Sequence, residues 1–183
     1  MIIVKDLSVV RLEKKIFENI DLSLRFGDIT ILKGKNGSGK TTLIKAILNI
    51  IEPSVGSIYW KGKLLKKNLY DFYNHVTYIA DSTSSLAKLT IKENISIWKK
   101  IFLSNINDSQ IETALKTLKL ENYSNQKVGT LSLGEKKKLE FLRLILENKK
   151  LWILDEPLSS LDEDSIELIK QTFVDHCSKE GSI

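Results

Sequence analysis

Two short stretches of this sequence hold side chains in an order suited to phosphate chemistry. In the first, the apolar run Ile29-Thr30-Ile31-Leu32 empties into Lys33-Gly34-Lys35-Asn36-Gly37-Ser38-Gly39-Lys40-Thr41-Thr42. Gly34, Gly37 and Gly39 lack a Cβ, so the backbone can turn back on itself and aim several N–H groups at one anion. The helix expected to follow adds the positive end of its dipole. The spacing Gly-x4-Gly-Lys-Thr makes Gly34, Asn36, Gly37, Ser38, Gly39, Lys40, Thr41 and Thr42 the candidate triphosphate cradle. In it Lys40 reaches the β- and γ-phosphates, and the Thr41 hydroxyl is a ligand for Mg²⁺. A flexible Gly/Ser turn is the alternative. Leu43, Ile44, Ile47, Leu48 and Ile51 argue against it, because they recur at helical intervals until Pro53 closes the segment.

The second stretch, Leu151-Trp152-Ile153-Leu154-Asp155-Glu156-Pro157, is an apolar strand that delivers two carboxylates at its end. Asp155 suits Mg²⁺ held through its water shell, and Glu156 suits a general base that polarises the attacking water. A turn that merely caps the next helix is the other reading. Between the two stretches, Ser132 and Gly134 of Thr130-Leu131-Ser132-Leu133-Gly134-Glu135 stand at the expected N-terminus of a helix carrying Leu139, Leu142, Leu144 and Leu146. Such an end binds an anion. Lys40 already serves the chain's own nucleotide, so this end needs a second phosphate or a second protomer.

The elements that must position these groups read as strands interleaved with helices, an α/β fold. Residues 2–7, 20–25 and 57–60 read as a flanking antiparallel part, with Gly27-Asp28 and Gly56-Ser57 as turns. Residues 29–32, 76–80 and 151–154 read as buried central strands. From about 88 to 128 the pattern is helical: Ile91, Ile95, Trp98, Ile101 and Phe102 share one face, and Ile111, Leu115 and Leu118 another.

With 183 residues, 42% of them hydrophobic, the chain can bury a core of one domain with a subdomain. No apolar stretch approaches the ~20 residues that cross a bilayer, and the N-terminus lacks the order of a secretory signal. Any membrane role is therefore expected through partners. The net charge of +5 includes lysine runs at 61–67 and 136–138, read as solvated faces. With no reader motif, no nucleic-acid partner is expected. The single Cys177 excludes an internal disulfide, and no Cys/His cluster suggests zinc. His75 and His176 read as surface or packing residues.

In this order the motifs resemble those of the ATP-binding-cassette family, along essentially the whole chain. Gly34 to Thr42 looks like Walker A, and Leu131 to Glu135 like the signature motif. Leu151 to Glu156 looks like Walker B with its glutamate, and Ser159-Ser160-Leu161-Asp162 like the D-loop. The resemblance implies a P-loop NTPase fold of the ABC nucleotide-binding type spanning 1–183, with its helical subdomain at about 82–135. It also implies ATP and Mg²⁺ as ligands, and a head-to-tail homodimer in which Ser132 and Gly134 of one subunit cover ATP on the other. Integral membrane transporter subunits would hold the protein peripherally at the cytoplasmic face of the inner membrane. Within the family, Leu151 to Pro157, Tyr78-Ile79-Ala80 and Glu93-Asn94-Ile95 are similar to short ATPase subunits of the haem-exporter type used in cytochrome c maturation. A nucleotide-binding module of little turnover and a nucleic-acid-linked ATPase are the alternatives.

Three positions depart from the family pattern. Asp81 stands where the family places a metal-contacting glutamine, and could still accept from a metal-bound water. Arg11 occupies the stretch of the adenine-stacking aromatic, and its guanidinium plane could stack in that role. The switch histidine has no counterpart before Ile183. A cleft beside Asp81 to Lys88 is expected to accept a helix of a membrane subunit, with Trp98, Tyr73 and Phe72 as exposed candidates and a core role as their alternative.

Overall fold

The computed structural model describes residues 2–102 and 106–183. Met1 and residues 103–105, which fall inside the expected domain and its helical part, lie outside the described residues. The chain divides into two compact units, residues 1–76 with 177–183, and residues 77–176.

The first unit is built on a four-stranded antiparallel sheet of order β2-β1-β3-β4. Its strands are β1 (Ile2–Arg11), β2 (Lys14–Leu24), β3 (Val55–Trp60) and β4 (Lys63–Leu64). In β1 the inward residues are Ile2 and Val4, then Leu7 and Val9, all nearly fully buried. A strict period of two would turn Leu7 outward. One extra residue resets the phase: β1 pairs Lys5 with Ser57 but Ser8 with Val55, a bulge at which Asp6 takes φ 50°. The Asp6 N–H donates to Asp21 Oδ1 at 2.8 Å, so the bulge leaves no orphan there. The bulged backbone passes over Gly56, where a Cβ would stand 2.4 Å from the Asp6 carbonyl oxygen. Gly56 thus lies inside β3 as the price of the bulge, and is not the turn expected of it.

The same unit carries α1 (Lys40–Ile47) and α2 (Leu69–His75). Trp60 packs edge-on against Phe26 and Phe72, with centroids 5.9 and 5.3 Å away. Phe72 is wholly buried, and burying such a ring is worth about 3 kcal/mol; it is therefore core and not a docking residue. Tyr73 is partly exposed, with its hydroxyl donating to the Leu48 carbonyl at 2.8 Å. Helix α1 stops at Ile47, with Leu48 as its cap, so Ile51 falls beyond the helix.

One central strand expected from the sequence does not form as such. Ile29, Ile31 and Leu32 are exposed and lie outside any strand. Two bonds to the last residue touch this segment: Thr30 N–H donates to Ile183 O at 2.7 Å, and Ile183 N–H to Asp28 O at 3.0 Å. An apolar run becomes a strand only where a neighbour completes its ladder.

The second unit carries β5 (Val76–Ile79) paired with β6 (Leu151–Leu154), and between them in sequence α3 (Ile91–Ile101), α4 (Asp108–Thr117) and α5 (Leu133–Glu147). Helix α6 (Glu163–Ser178) follows. Thr90, Asn107 and Ser132 each close a reciprocal capping box with the residue three positions on. Helix α3 buries Ile91, Ile95 and Trp98, so Trp98 is also core, whereas Ile101 and Phe102 at its C-terminal end are exposed. Trp152 stacks on His176 at 3.6 Å, which makes this histidine a packing residue.

Helix α5 also holds the loop that follows β5. Glu140, buried, accepts from Thr83 Oγ1 at 2.6 Å, Ser84 N at 2.9 Å, Ser84 Oγ at 2.7 Å, Ser85 N at 3.1 Å and Ser85 Oγ at 2.7 Å. Burial alone would raise this carboxyl; the three hydroxyl donors and the nearby Arg143 outweigh it and hold the group below the ordinary carboxylate range.

Two predictions follow from these anchors. Gly56→Ala is expected to cost about 2–4 kcal/mol in urea unfolding, because strain at φ 94° adds to the clash, while Gly62→Ala, with open space at φ 79°, costs about 1 kcal/mol; equal losses would refute the bulge contact. Glu140→Gln is expected to lose about 2–4 kcal/mol at neutral pH. With the folded-state titration of Glu140 lowered, its stabilisation is full above the unfolded-state pKa and drains away as pH falls through the folded-state value. The stability gap between the parent and Glu140→Gln should therefore close on acidification, and a gap constant with pH would count against the anchor.

Candidate functional site

The phosphate loop belongs to the first unit. Gly39 is the N-cap of α1 with φ 94°, and Gly37 takes φ 77°, conformations that side chains resist. A Cβ on Gly39 would come within 2.9 Å of Ile16 Cγ2 on β2, and one on Gly34 within 2.5 Å of Ser38 Oγ. These glycines let the loop lie flat on β2 and curl around its own centre. Ser38 N–H donates to Lys35 O at 3.1 Å, and the Lys40 ammonium donates to Gly34 O at 2.9 Å and Lys35 O at 3.1 Å. The loop is therefore held from inside by Lys40. Asn36 sits at its exposed tip, and Thr41 and Thr42 begin α1, with Thr41 exposed. Leu43 N–H closes the first α1 bond on Gly39 O at 2.8 Å, so the N–H groups ahead of it have no helical partner and suit an oxyanion. Arg11 is exposed at the end of β1, opposite Lys14 across a two-residue turn in which Leu12 and Glu13 both have positive φ.

The second unit holds the carboxylates. Asp155 follows β6 directly, is buried, and its N–H donates to Ile79 O at 2.9 Å, prolonging the pairing with β5. Glu156 is exposed with φ 48°, which swings it away from the strand direction. Asp81 is exposed two residues past β5. Burial, then the charges of Asp155 and Asp81, raise the Tyr78 phenol, so both carboxylates act on one ring at this end of the strands. Among the described residues no group of three or more His, Cys, Asp and Glu forms a metal cage. An ion of the Mg²⁺ type, which keeps several waters and takes one or two carboxylates, needs no such cage, and Asp155 and Asp81 of this unit are oxygen donors of the kind it takes; Thr41, in the first unit, carries a hydroxyl of the same class.

Ser132 is the N-cap of α5. Its Oγ accepts from Glu135 N at 3.2 Å while Glu135 Oε2 accepts from Ser132 N at 2.7 Å, which leaves the serine hydroxyl able to donate. Gly134 lies in the first turn of α5, where a Cβ would stand 3.3 Å from Ser160 O. Asp162 caps α6, accepting from Ser165 N at 2.8 Å.

Sequence reasoning missed two supports of these sites. The flat face of β2 at Ile16 and Phe17 was hidden because Lys14-Lys15 and Glu18-Asn19 flank it. Glu140 was missed because a single acidic residue in an apolar helix stripe gives no signal of its partners forty and more residues away.

The chain matches the ABC transporter family model over residues 17–159. It is 37% identical to the cytochrome c biogenesis ATP-binding export protein CcmA of Reclinomonas americana, over 98% of this chain and 81% of that protein. It is 31% identical to the CcmA of Aliivibrio fischeri, over 100% of this chain and 89% of that protein. Among solved structures it is similar to the ATP-binding subunit of an ABC transporter, with a TM-score of 0.86 at 25% identity, covering 99% of this chain and 76% of that one. The fold is accordingly the α/β P-loop NTPase fold of ABC nucleotide-binding domains, and the chain belongs to the ABC transporter family.

Proposed function

We propose that this chain is the ATP-binding and ATP-hydrolysing subunit of a membrane ABC transporter of the haem-export, cytochrome c biogenesis type. The observation that carries the reading is the phosphate loop. Its three glycines are placed where a side chain would strain the backbone or fill the cradle, and Lys40 is already drawn over it. Family membership supports ATP as the nucleotide, and relatives named for cytochrome c biogenesis support the transporter type.

In this reading the loop N–H groups and Lys40 hold the β- and γ-phosphates, and Arg11 stacks on the adenine. The Thr41 hydroxyl and the Asp155 carboxylate hold Mg²⁺, with Asp81 accepting from its water. When bound there, Mg²⁺ would supply positive charge beside the phosphate oxygens. Glu156, exposed beyond β6, orients and deprotonates the attacking water. Ser132 and Gly134 cover the nucleotide of a second copy, which gives the start of α5 its phosphate. Residues 1–183 then act as one ATP-binding domain, with about 82–135 as its helical subdomain.

Among the described residues no helix is long and apolar enough to cross a membrane. In this reading integral membrane subunits anchor the homodimer peripherally at the cytoplasmic face of the inner membrane, and membership of the ABC transporter family supports such partners. No nucleic acid is needed.

Glu156→Gln is expected to lower Mg²⁺-dependent phosphate release by about 10²–10⁴-fold while retaining ATP and trapping an ATP-bound dimer on size exclusion. Lys40→Ala should lose ATP binding in calorimetry. Parent-like turnover in Glu156→Gln, or parent-like ATP affinity in Lys40→Ala, would overturn the assignment.

A further inference from the structure

One buried charge in the second unit has no answer in the scheme above. Lys137, in the second turn of α5, is 7% exposed, and its ammonium is buried with no hydrogen-bond partner among the described residues. A buried ammonium is costly unless a counter-charge meets it. The carboxylate one turn on, Glu140, would be the ordinary partner, but it is taken up by Thr83, Ser84 and Ser85, with Arg143 3.9 Å away. The Lys137 ammonium is therefore left without a hydrogen-bonded counter-charge among the described residues.

Lys137 lines a cleft that Asp81, Ser82, Lys136 and Ser160 also border. The cleft measures about 180 Å³, below the roughly 300 Å³ at which pockets for drug-sized ligands begin, and it suits a compact ion with its water. Two lysines and two serine hydroxyls supply donors. Two carboxylates border the cleft as well: Glu140, whose oxygens already accept from Thr83, Ser84 and Ser85, and Asp81, which repels an oxyanion that has no proton to give it.

We propose that this cleft binds a protonated tetrahedral oxyanion, of the monohydrogen phosphate class, with Lys137 as its counter-ion and Asp81 accepting the proton-bearing oxygen. Sulfate has the same shape and charge but no proton at neutral pH, so Asp81 selects against it. The assignment goes beyond the nucleotide reading and uses none of the phosphate-loop residues.

The test is calorimetry with inorganic phosphate and with sulfate, without nucleotide or Mg²⁺, on the parent, Lys40→Ala, Lys137→Gln, Lys137→Arg and Asp81→Asn. Lys40→Ala, in which the phosphate loop's own anion site is weakened, is the background for the other variants and should bind phosphate more tightly than sulfate. Lys137→Gln should weaken phosphate binding by roughly tenfold or more, and Lys137→Arg should restore it. Asp81→Asn should bring phosphate and sulfate to similar affinity. In the Lys40→Ala background, undiminished phosphate binding in Lys137→Gln, absence of phosphate binding to the folded protein, or equal affinity for sulfate would each overturn the proposal. If Lys137→Gln fails to fold, the comparison of Asp81→Asn with that background decides. Because nucleotide is left out, failure of the ATPase reading and failure of this one are read in separate experiments.

Discussion

Backbone that has left a strand, or has just entered a helix, carries N–H and C=O groups that no ladder satisfies, and they must be met locally or by a ligand. Every segment with a chemical role in this chain is of that kind. The loop after β5 is met by one carboxylate, Glu140, which takes two of its N–H groups and three of its hydroxyls. The starts of α3, α4 and α5 are met by capping boxes, each covering one helical N–H and the cap residue's own. The phosphate loop takes a third route, in which Lys40 supplies the donors for its carbonyls and the N–H groups ahead of α1 stay open to an anion. The difference between a closed turn and an anion site is thus which of the two backbone groups the chain satisfies for itself.

That rule also explains what was legible in the sequence. The cradle Gly34 to Thr42 and the strand Leu151–Leu154 could be read because each packs its signal into consecutive residues. The capping pair Ser132 and Glu135 is equally local. Ile29 to Leu32 was misread, since an apolar run states that a strand is possible but not who completes its ladder. Gly56 was misread as a turn, because a glycine under a bulge and a glycine in a turn look alike until the bulge at Asp6 is known. Phe72 and Trp98 were open between surface and core, and only packing assigns them to the core.

The lysine runs show how little a charge count says without geometry. In the run from 61 to 67, Lys61 faces Asp71 and Lys66 faces Glu52, partly exposed pairs of small worth. The three lysines 136–138 are adjacent in sequence but leave the helix about 100° apart. Lys136 reaches the Gly129 carbonyl at 3.4 Å. Lys138 helps hold down the Asp162 carboxyl, whose hydrogen bonds from Ser165 are the larger cause. Lys137 alone turns inward. One stretch of like charge thus becomes a donor to a backbone carbonyl, a cap support and a buried ammonium.

The exchange of an amide for a carboxylate at residue 81 changes the electrostatics of the strand ends more than their shape. Asp81 and Asp155 both raise the Tyr78 phenol, so their charges reinforce one another at this end of β5 and β6. Two carboxylates that share a field raise each other's demand for a cation, and a divalent ion meets that demand better than water does. An amide would accept from a metal-bound water without adding charge. A carboxylate adds charge as well, and in doing so it sets a local negative potential against the positive one of Lys136 and Lys137 across the same cleft. A ligand that bridges the two meets an acceptor at Asp81 and donors at Lys136 and Lys137, so its protonation state as well as its size bears on what this cleft can hold.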